Sequence, residues 1–376
     1  MPDEKLFYED PTLERIETEV IETGDEGGRP WARLERTIFH PEGGGQPADW
    51  GALGDVPVVN VQEREGRVLH FVNSPVAVGP VVACLDAGRR FDLSQQHTAQ
   101  HLLTAVLLER HGLPTTAFHL GESYAAIEVD GKVPDPEALA GFEDEVNAIV
   151  REARTVRTLW IEPGQMKALG VRSRMLPEGH TGKVRIVEIE GVDINTCGGT
   201  HVQNLSEIQM IHIFHAEPAR GGARIHFLAG GRILSRLGKA DALEAALKDR
   251  LGTSPMDFAR VVDGWLTERR RLKKRVKRLE DENAEHIARE LALTDGDRIE
   301  KTIQGAGPDM LRSLAKAVLE LRPEAVVSLV GEAEVTCFIV QSGPAGPQDV
   351  SDVGEALRDR LKARGGGKGR TFQGRT

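Results

Sequence analysis

The sequence predicts a multidomain α+β chain. It reads as an N-terminal β-barrel-like domain, a two-layer α/β domain, a helical hairpin and a small C-terminal α/β domain. Three observations carry this reading. Short alternating apolar stretches separated by turn residues fill 1–90, helix-period and strand-period segments mix over 91–235, and an amphipathic helical stripe spans 236–294 before the mixed pattern returns at 295–376. The 376 residues leave room for two or three domains, and a 40% hydrophobic content suffices for ordinary cores.

In the first segment, Ala32-Arg33-Leu34-Glu35-Arg36-Thr37-Ile38-Phe39 alternates in the manner of a strand. The turn after it, Pro41-Glu42-Gly43-Gly44-Gly45-Gln46-Pro47, is unusual. Three consecutive glycines cost backbone entropy, and a folded domain keeps them where the chain turns sharply or approaches something closely. Asp92 or Ser94 then caps a predicted helix running to about Gly112, with Leu102, Leu103, Val106 and Leu107 on its apolar face. A second helix is expected over Pro136–Thr155, with strands near 184–187 and 210–215. From Ile233 to about Leu293 the pattern is helical, broken at Gly252-Thr253-Ser254-Pro255, where Ser254 suits an N-cap and Pro255 the first helical position. Phe258, Val262, Trp265, Leu272, Val276, Leu279 and Ile287 form a coiled-coil-like stripe, interrupted by Arg269 and Asn283. That stripe suits a helical hairpin or a dimer seam. The last segment predicts a helix over 308–321, strands over 325–330 and 335–340, and a helix over 351–364 ending in a Gly-rich run.

Three cysteines, an odd and small number, argue against a disulfide framework. Cys84 and Cys337 sit in apolar stretches and read as buried strand residues. No apolar run approaches the roughly 18 residues of a membrane span. The acidic start Met1-Pro2-Asp3-Glu4-Lys5 lacks the signature of a signal peptide, so a cytoplasmic protein is expected. The formal net charge of −10 argues against a nonspecific nucleic-acid binder, yet eight of the ten residues from Arg269 to Arg278 are Lys or Arg. The tail from Leu361 to Thr376 is also basic.

Two short motifs carry chemistry. In His97-Thr98-Ala99-Gln100-His101 the two imidazoles fall on one helix face, one turn apart. In Cys197-Gly198-Gly199-Thr200-His201 the same spacing recurs, with a double glycine that lets the backbone wrap closely. Together His97, His101, Cys197 and His201 make a Cys/His₃ set suited to one zinc ion. Four ligands fit a structural zinc as well as a catalytic one, and spacing does not decide between them. Thr37 and Gln46 flank the Gly-rich loop. Read without other information, the first is a strand residue and the second a surface residue. His40, His212, His215 and His226 read as structural, and His111 and His119 do not match a ligand spacing.

The segment Phe39-His40-Pro41-Glu42-Gly43-Gly44-Gly45-Gln46-Pro47-Ala48-Asp49, then the HxxxH pair, then Cys197-Gly198-Gly199-Thr200-His201-Val202, resembles the editing domain of alanyl-tRNA synthetase. It is most similar to the free-standing AlaX trans-editing proteins, in motif order and spacing over about residues 6–235. The C-terminal part is similar, more loosely, to the DHHA1-type domain of the long AlaX form. The resemblance implies an editing domain over 91–235 and a zinc-dependent esterase that deacylates Ser-tRNA(Ala), and also Gly-tRNA(Ala). It implies no aminoacylation, since the chain opens at the editing region. It implies zinc at His97, His101, Cys197 and His201, and catalytic candidates Thr37, Gln46 and Cys197. Thr37 would read the serine hydroxyl. It places Gly43, Gly44 and Gly45 near the terminal adenosine, with Lys368 and Arg370 of the basic tail as tRNA contacts. A homodimer through the helical or C-terminal region is a candidate assembly. Two alternatives stay open: a zinc-stapled tRNA-binding protein without catalysis, and a metallohydrolase acting on another ester.

Overall fold

Six strands of the N-terminal region close into a barrel, in the order Arg15–Glu26, Arg29–Leu34, Arg67–Val72, Val56–Arg64, Gly51–Leu53 and Gly79–Leu85. Period-two alternation turns Val20, Ala32, Leu34, Val58, Val61, Val68 and Ala83 inward to fill it. The structure is a computed structural model in which residues 3–172 and 182–376 are described. It divides into two compact units, Met1–Leu243 and Glu244–Thr376.

The barrel hands over to the helix Ala87–His111. Its cap is Asp86, whose carboxylate accepts from the Arg89 N–H, so the helix begins earlier than Asp92 or Ser94. The reason is physical. Arg90, Ser94, Gln95, Gln96, His97, Thr98, Gln100 and His101 are all buried, so the hidden face of the first half is polar and shows no apolar period. Asp92 instead pairs with Arg232, and the Ser94 hydroxyl donates to Thr200. The helix ends at Gly112 in the left-handed conformation, as expected.

A four-stranded antiparallel sheet follows, in the order Ile211–Ala219, Gly222–Ala229, Ala125–Asp130, Thr115–Leu120. The helices Ala87–His111 and Pro136–Arg151 share one core with it, through Leu103, Leu107, Phe142, Val146, Ile127 and Phe227. The second helix stops at Arg151 rather than Thr155, because Ala153 turns to positive φ and Val156 opens a strand. That strand, Val156–Ile161, joins Val184–Ile189 and Asp193–Thr196 in a three-stranded sheet.

The helix Gly231–Leu251 runs across the boundary between the two units. In the second unit, the helix Phe258–Ala292 buries Ala284, Ala288 and Leu291 in a core shared with the helix Pro308–Leu321. A five-stranded sheet completes the unit, in the order Arg298–Gln304, Val326–Glu332, Cys337–Ser342, Thr371–Arg375, Arg364–Lys368. Here the structure corrects the sequence reading. The last helix is Ser351–Arg360, and the glycine run after it is a strand rather than a tail. A Cβ at Gly365 or Gly367 would fall on the backbone of the neighbouring strand, so the glycines permit close strand approach. No described helix is long and apolar enough to cross a membrane. All three cysteines are free, Cys337 buried and Cys84 half-buried.

Candidate active site and metal centre

His97 and His101 project from the buried polar face of the helix Ala87–His111, toward the turn that follows the strand Asp193–Thr196. The turn brings Cys197 and His201. Among the described residues these four form a group whose ligand atoms all lie within 4.8 Å of one another. Cys197 Sγ is 3.5 Å from His97 Nε2 and 3.3 Å from His201 Nε2.

The hydrogen bonds behind the cluster determine which nitrogen of each ring faces it. Gln46 Oε1 accepts the Thr200 backbone N–H at 3.0 Å, which fixes the amide orientation. The same oxygen therefore accepts His97 Nδ1–H at 2.8 Å, leaving Nε2 with a free lone pair. The Thr98 hydroxyl donates to Ser94 O at 2.8 Å, so toward His201 Nδ1, 3.1 Å away, it acts as acceptor. His201 Nε2 is thereby left to the cluster. His101 Nδ1 faces Asp193 Oδ2 at 3.6 Å, and Arg172 holds that carboxylate. His97 and His201 are thus oriented by hydrogen bonds at Nδ1, the arrangement metal-ligating histidines use, while His101 Nδ1 faces the Asp193 carboxylate without a hydrogen bond.

Electrostatics agree. Burial pushes the Cys197 thiol up, but the imidazoles of His97, His201 and His101 outweigh it and hold it well below its ordinary range. Burial pushes His101 down, but Cys197 and Asp193 carry it up to about 9. Burial takes His201 the other way, to about 3. A thiol held low beside these imidazoles is the donor a bound cation would take, displacing a proton as it binds.

The cluster opens on a cavity of about 630 Å³ whose wall includes His97, His101, Cys197, Gly43, Gly44 and Tyr8. The Gly-rich loop is a two-residue turn closed by paired hydrogen bonds between Gly43 and Gln46. Gly44 and Gly45 have φ of +59° and +89°, which a side chain would strain. A buried pair anchors the loop: Asp49 accepts the His40 N–H and the Arg90 guanidinium.

Of the residues singled out from sequence, His97, His101, Cys197, His201, Gly43, Gly44 and Gln46 come together here. Gln46 is 2% exposed and touches His97 from behind. Thr37 lies on the short strand Arg36–Thr37, paired with Glu4–Lys5 outside the barrel ladder, and is fully buried. Its hydroxyl donates to His70 Nε2 and accepts the Phe39 N–H, and it is not part of the cavity wall. Lys368 and Arg370 are in the other unit, Lys368 exposed and Arg370 held by the carbonyls of Gly343, Gly346 and Pro347. The sequence reading missed Asp193, Thr98, Thr200 and Arg185, and took His40 as structural although it lines the cavity. Thr98 and Thr200 lie inside the two motifs and so had a signal; Asp193 and Arg185 had none. His111, His119, His212 and His226 pair with Glu145, Glu128, Glu143 and Glu217, away from the cluster.

Residues 184–226, which hold Cys197 and His201, match the family model described as "Threonyl and Alanyl tRNA synthetase second additional domain". The alanyl-tRNA editing protein Aarsd1-A of Xenopus laevis is 33% identical over 353 residues, covering 91% of this chain and 83% of its own length. The chain belongs to the AlaX-type alanyl-tRNA editing proteins. A second member, AlaX-L of Pyrococcus horikoshii, is 33% identical over 62% of this chain and 60% of its own. The family is related to alanyl-tRNA synthetase: the alanine–tRNA ligase of Ignicoccus hospitalis is 28% identical over 98% of this chain and 40% of its own.

Proposed function

We propose that this protein is a zinc-dependent deacylase that hydrolyses tRNA(Ala) mischarged with serine, and also with glycine. The observation that carries the reading is the Cys/His₃ cluster, of which His97, His101 and Cys197 line a cavity shared with Gly43 and Gly44 of the Gly-rich loop. Family membership supports the substrate class. The donor chemistry supports zinc. Bond lengths of about 2.3 Å to sulfur and 2.05 Å to nitrogen at a tetrahedral angle give an S···N separation of about 3.6 Å. The two separations of 3.5 and 3.3 Å lie close to that. A zinc ion bound there would supply Lewis acidity to the ester or to water.

The chain's own residues do the rest. Alanine is smaller than serine, so a synthetase pocket cannot firmly exclude serine, and a separate hydrolytic site restores accuracy. Gly43, Gly44 and Gly45 offer backbone without side-chain bulk where the terminal adenosine would lie. Gln46 positions His97. Thr37 reads the serine hydroxyl only if its own hydroxyl leaves His70. Lys368 and the basic stretch 269–278 are phosphate contacts, and Arg370 joins them only if its guanidinium leaves the carbonyls of Gly343, Gly346 and Pro347. Since Phe372 is buried in the C-terminal core, Lys368→Ala tests that role without unfolding the sheet, as deleting 365–376 would. A homodimer through the helical or C-terminal region and a cytoplasmic location complete the reading.

The test is incubation with Ser-, Gly- and Ala-tRNA(Ala), with and without chelator, for the wild type and Cys197→Ala. Deacylation of the first two substrates, lost on chelation and in the variant, is expected. Intact aminoacyl-tRNA with a metal-dependent fold would favour a zinc-stapled binding protein. Cleavage of other esters with tRNA left intact would favour a different metallohydrolase.

A further inference from the structure

The turn that carries Cys197 has an unusual distribution of hydrogen bonds. All three of its carbonyls are taken by side chains from other elements. Arg185, on the strand Val184–Ile189, donates from Nη1 to Cys197 O at 2.7 Å and to Gly199 O at 2.9 Å. His40 Nε2, from the loop after the strand Arg36–Thr37, donates to Gly198 O at 2.9 Å. Arg185 is itself 9% exposed and stacks over the Tyr8 ring, so the clamp is rigid.

No described peptide bond is cis, and in a trans peptide the N–H points opposite to the preceding C=O. Because the Cys197 and Gly199 carbonyls both aim at Arg185, the N–H groups of Gly198 and Thr200 both aim away from it. The Thr200 N–H ends on Gln46 Oε1, the atom that holds the ligand His97. The Gly199 N–H ends on Cys197 Sγ at 3.4 Å. The Gly198 N–H, opposite the Cys197 carbonyl, points away from Arg185. It has no partner among the described residues, and Gly198 is part of the cavity wall.

We propose that this turn is an oxyanion hole whose donor is the Gly198 N–H, aimed by Arg185 and His40 as positioning residues. The inference rests on the deacylase reading above. Water oxygen bonds to the ester carbonyl carbon and the carbonyl π pair moves onto oxygen, where the Gly198 N–H meets the new negative charge. The pair then returns as the bond to the ribose oxygen breaks. The proton given up by water balances the one the ribose oxygen takes, and free amino acid and tRNA leave. A donor fixed in advance toward that oxygen costs no reorganisation as charge develops.

The experiment uses the zinc-loaded full chain and reads four quantities for wild type, Arg185→Met and Arg185→Lys: kcat and KM on Ser-tRNA(Ala), zinc per chain, and the unfolding midpoint. In Arg185→Met, kcat falls about 100-fold while KM and zinc content hold. Arg185→Lys recovers at least about a tenth of the wild-type rate, because one nitrogen makes both bonds and an ammonium can replace it. The inference is overturned if Arg185→Met keeps kcat within about threefold of wild type. It is equally overturned if zinc is lost in proportion to rate. Should Arg185→Met not fold, His40→Leu against His40→Gln gives the same comparison, Gln retaining a donor toward Gly198 O. A wild type that leaves Ser-tRNA(Ala) intact would refute the deacylase reading, whereas an active wild type matched by active variants refutes only the oxyanion hole.

Discussion

Replacing Gln46 with Leu removes the group on which both candidate metal-binding motifs lean. Gln46 Oε1 accepts two buried protons, from His97 Nδ1 at 2.8 Å and from the Thr200 N–H at 3.0 Å, and Nε2 donates to the Thr200 hydroxyl at 2.9 Å. Leucine has similar volume and no acceptor. Each orphaned donor costs about 1–3 kcal/mol, so the metal-free protein should lose about 2–6 kcal/mol. In a unit of this size that is a fall on the order of 10 °C in Tm. His97 also loses the partner that fixes its tautomer, so metal affinity should drop about 10–100-fold. Thermal unfolding of the metal-free protein reads the first number, and zinc competition with a chromophoric chelator reads the second. Gln46→Glu keeps an acceptor at the same atom and should retain most of the affinity. If Gln46→Leu binds zinc as tightly as wild type, the assignment of Nε2 of His97 to the metal is wrong.

Gly199→Ala should be as damaging by a different route: its Cβ would fall on the His97 ring and stand 2.6 Å from Gln46 Oε1, so zinc content should drop; a variant with full zinc content would show that the turn can relax. Asp49→Ala strands the buried Arg90 guanidinium and the His40 N–H, at a cost of about 3–5 kcal/mol in urea unfolding. A loss under about 1 kcal/mol would mean that Arg90 finds water. His70 sets a pH dependence. Burial pushes it to about 4, with its Nδ1–H on Ala32 O and Nε2 accepting from Thr37. The unfolded chain takes up that proton below about pH 6.5 and the folded one only near 4, so stability is full above 6.5 and falls by up to about 3 kcal/mol toward pH 4. His70→Gln should flatten that slope, and an unchanged slope would place the titration elsewhere. Thr37→Val breaks the bonds to His70 and Phe39 N; if Thr37 reads serine, the ratio of Ser- to Ala-tRNA(Ala) hydrolysis narrows, and an unchanged ratio with only lower stability would confine it to holding His70.

The ligand quartet was legible in the sequence because metal chemistry demands particular residue types at helical and turn spacings. His97 with His101 and Cys197 with His201 satisfy that demand locally. What orients the ligands was not legible to the same degree. Thr98 and Thr200 stand within the motifs, but their roles depend on where Ser94 and Gln46 arrive in space. Asp193 and Arg185 lie on strands with no local pattern to mark them. The helix Ala87–His111 shows the same limit: its start was misplaced because its first half buries hydrogen-bonded polar groups rather than an apolar stripe. The glycines at 365–367 erred in the opposite direction. A Gly-rich run that reads as the end of a helix is needed by strand packing, which sequence cannot distinguish until the pairing with Thr371–Arg375 is known.

These cases share one cause. Residues suited by type to hold an ion announce themselves in sequence, whereas residues that act through another residue are chosen by geometry. The site's polar shell follows from that difference. Ser94 and Thr98 come from the helix, Gln46 from the Gly-rich loop, Asp193 and Arg185 from the three-stranded sheet, and His40 from the barrel exit. A cluster held from so many directions moves little when one element shifts. The Cys197–Gly199 turn, clamped at three carbonyls from two other elements, is held in place by contacts that none of the four cluster side chains makes.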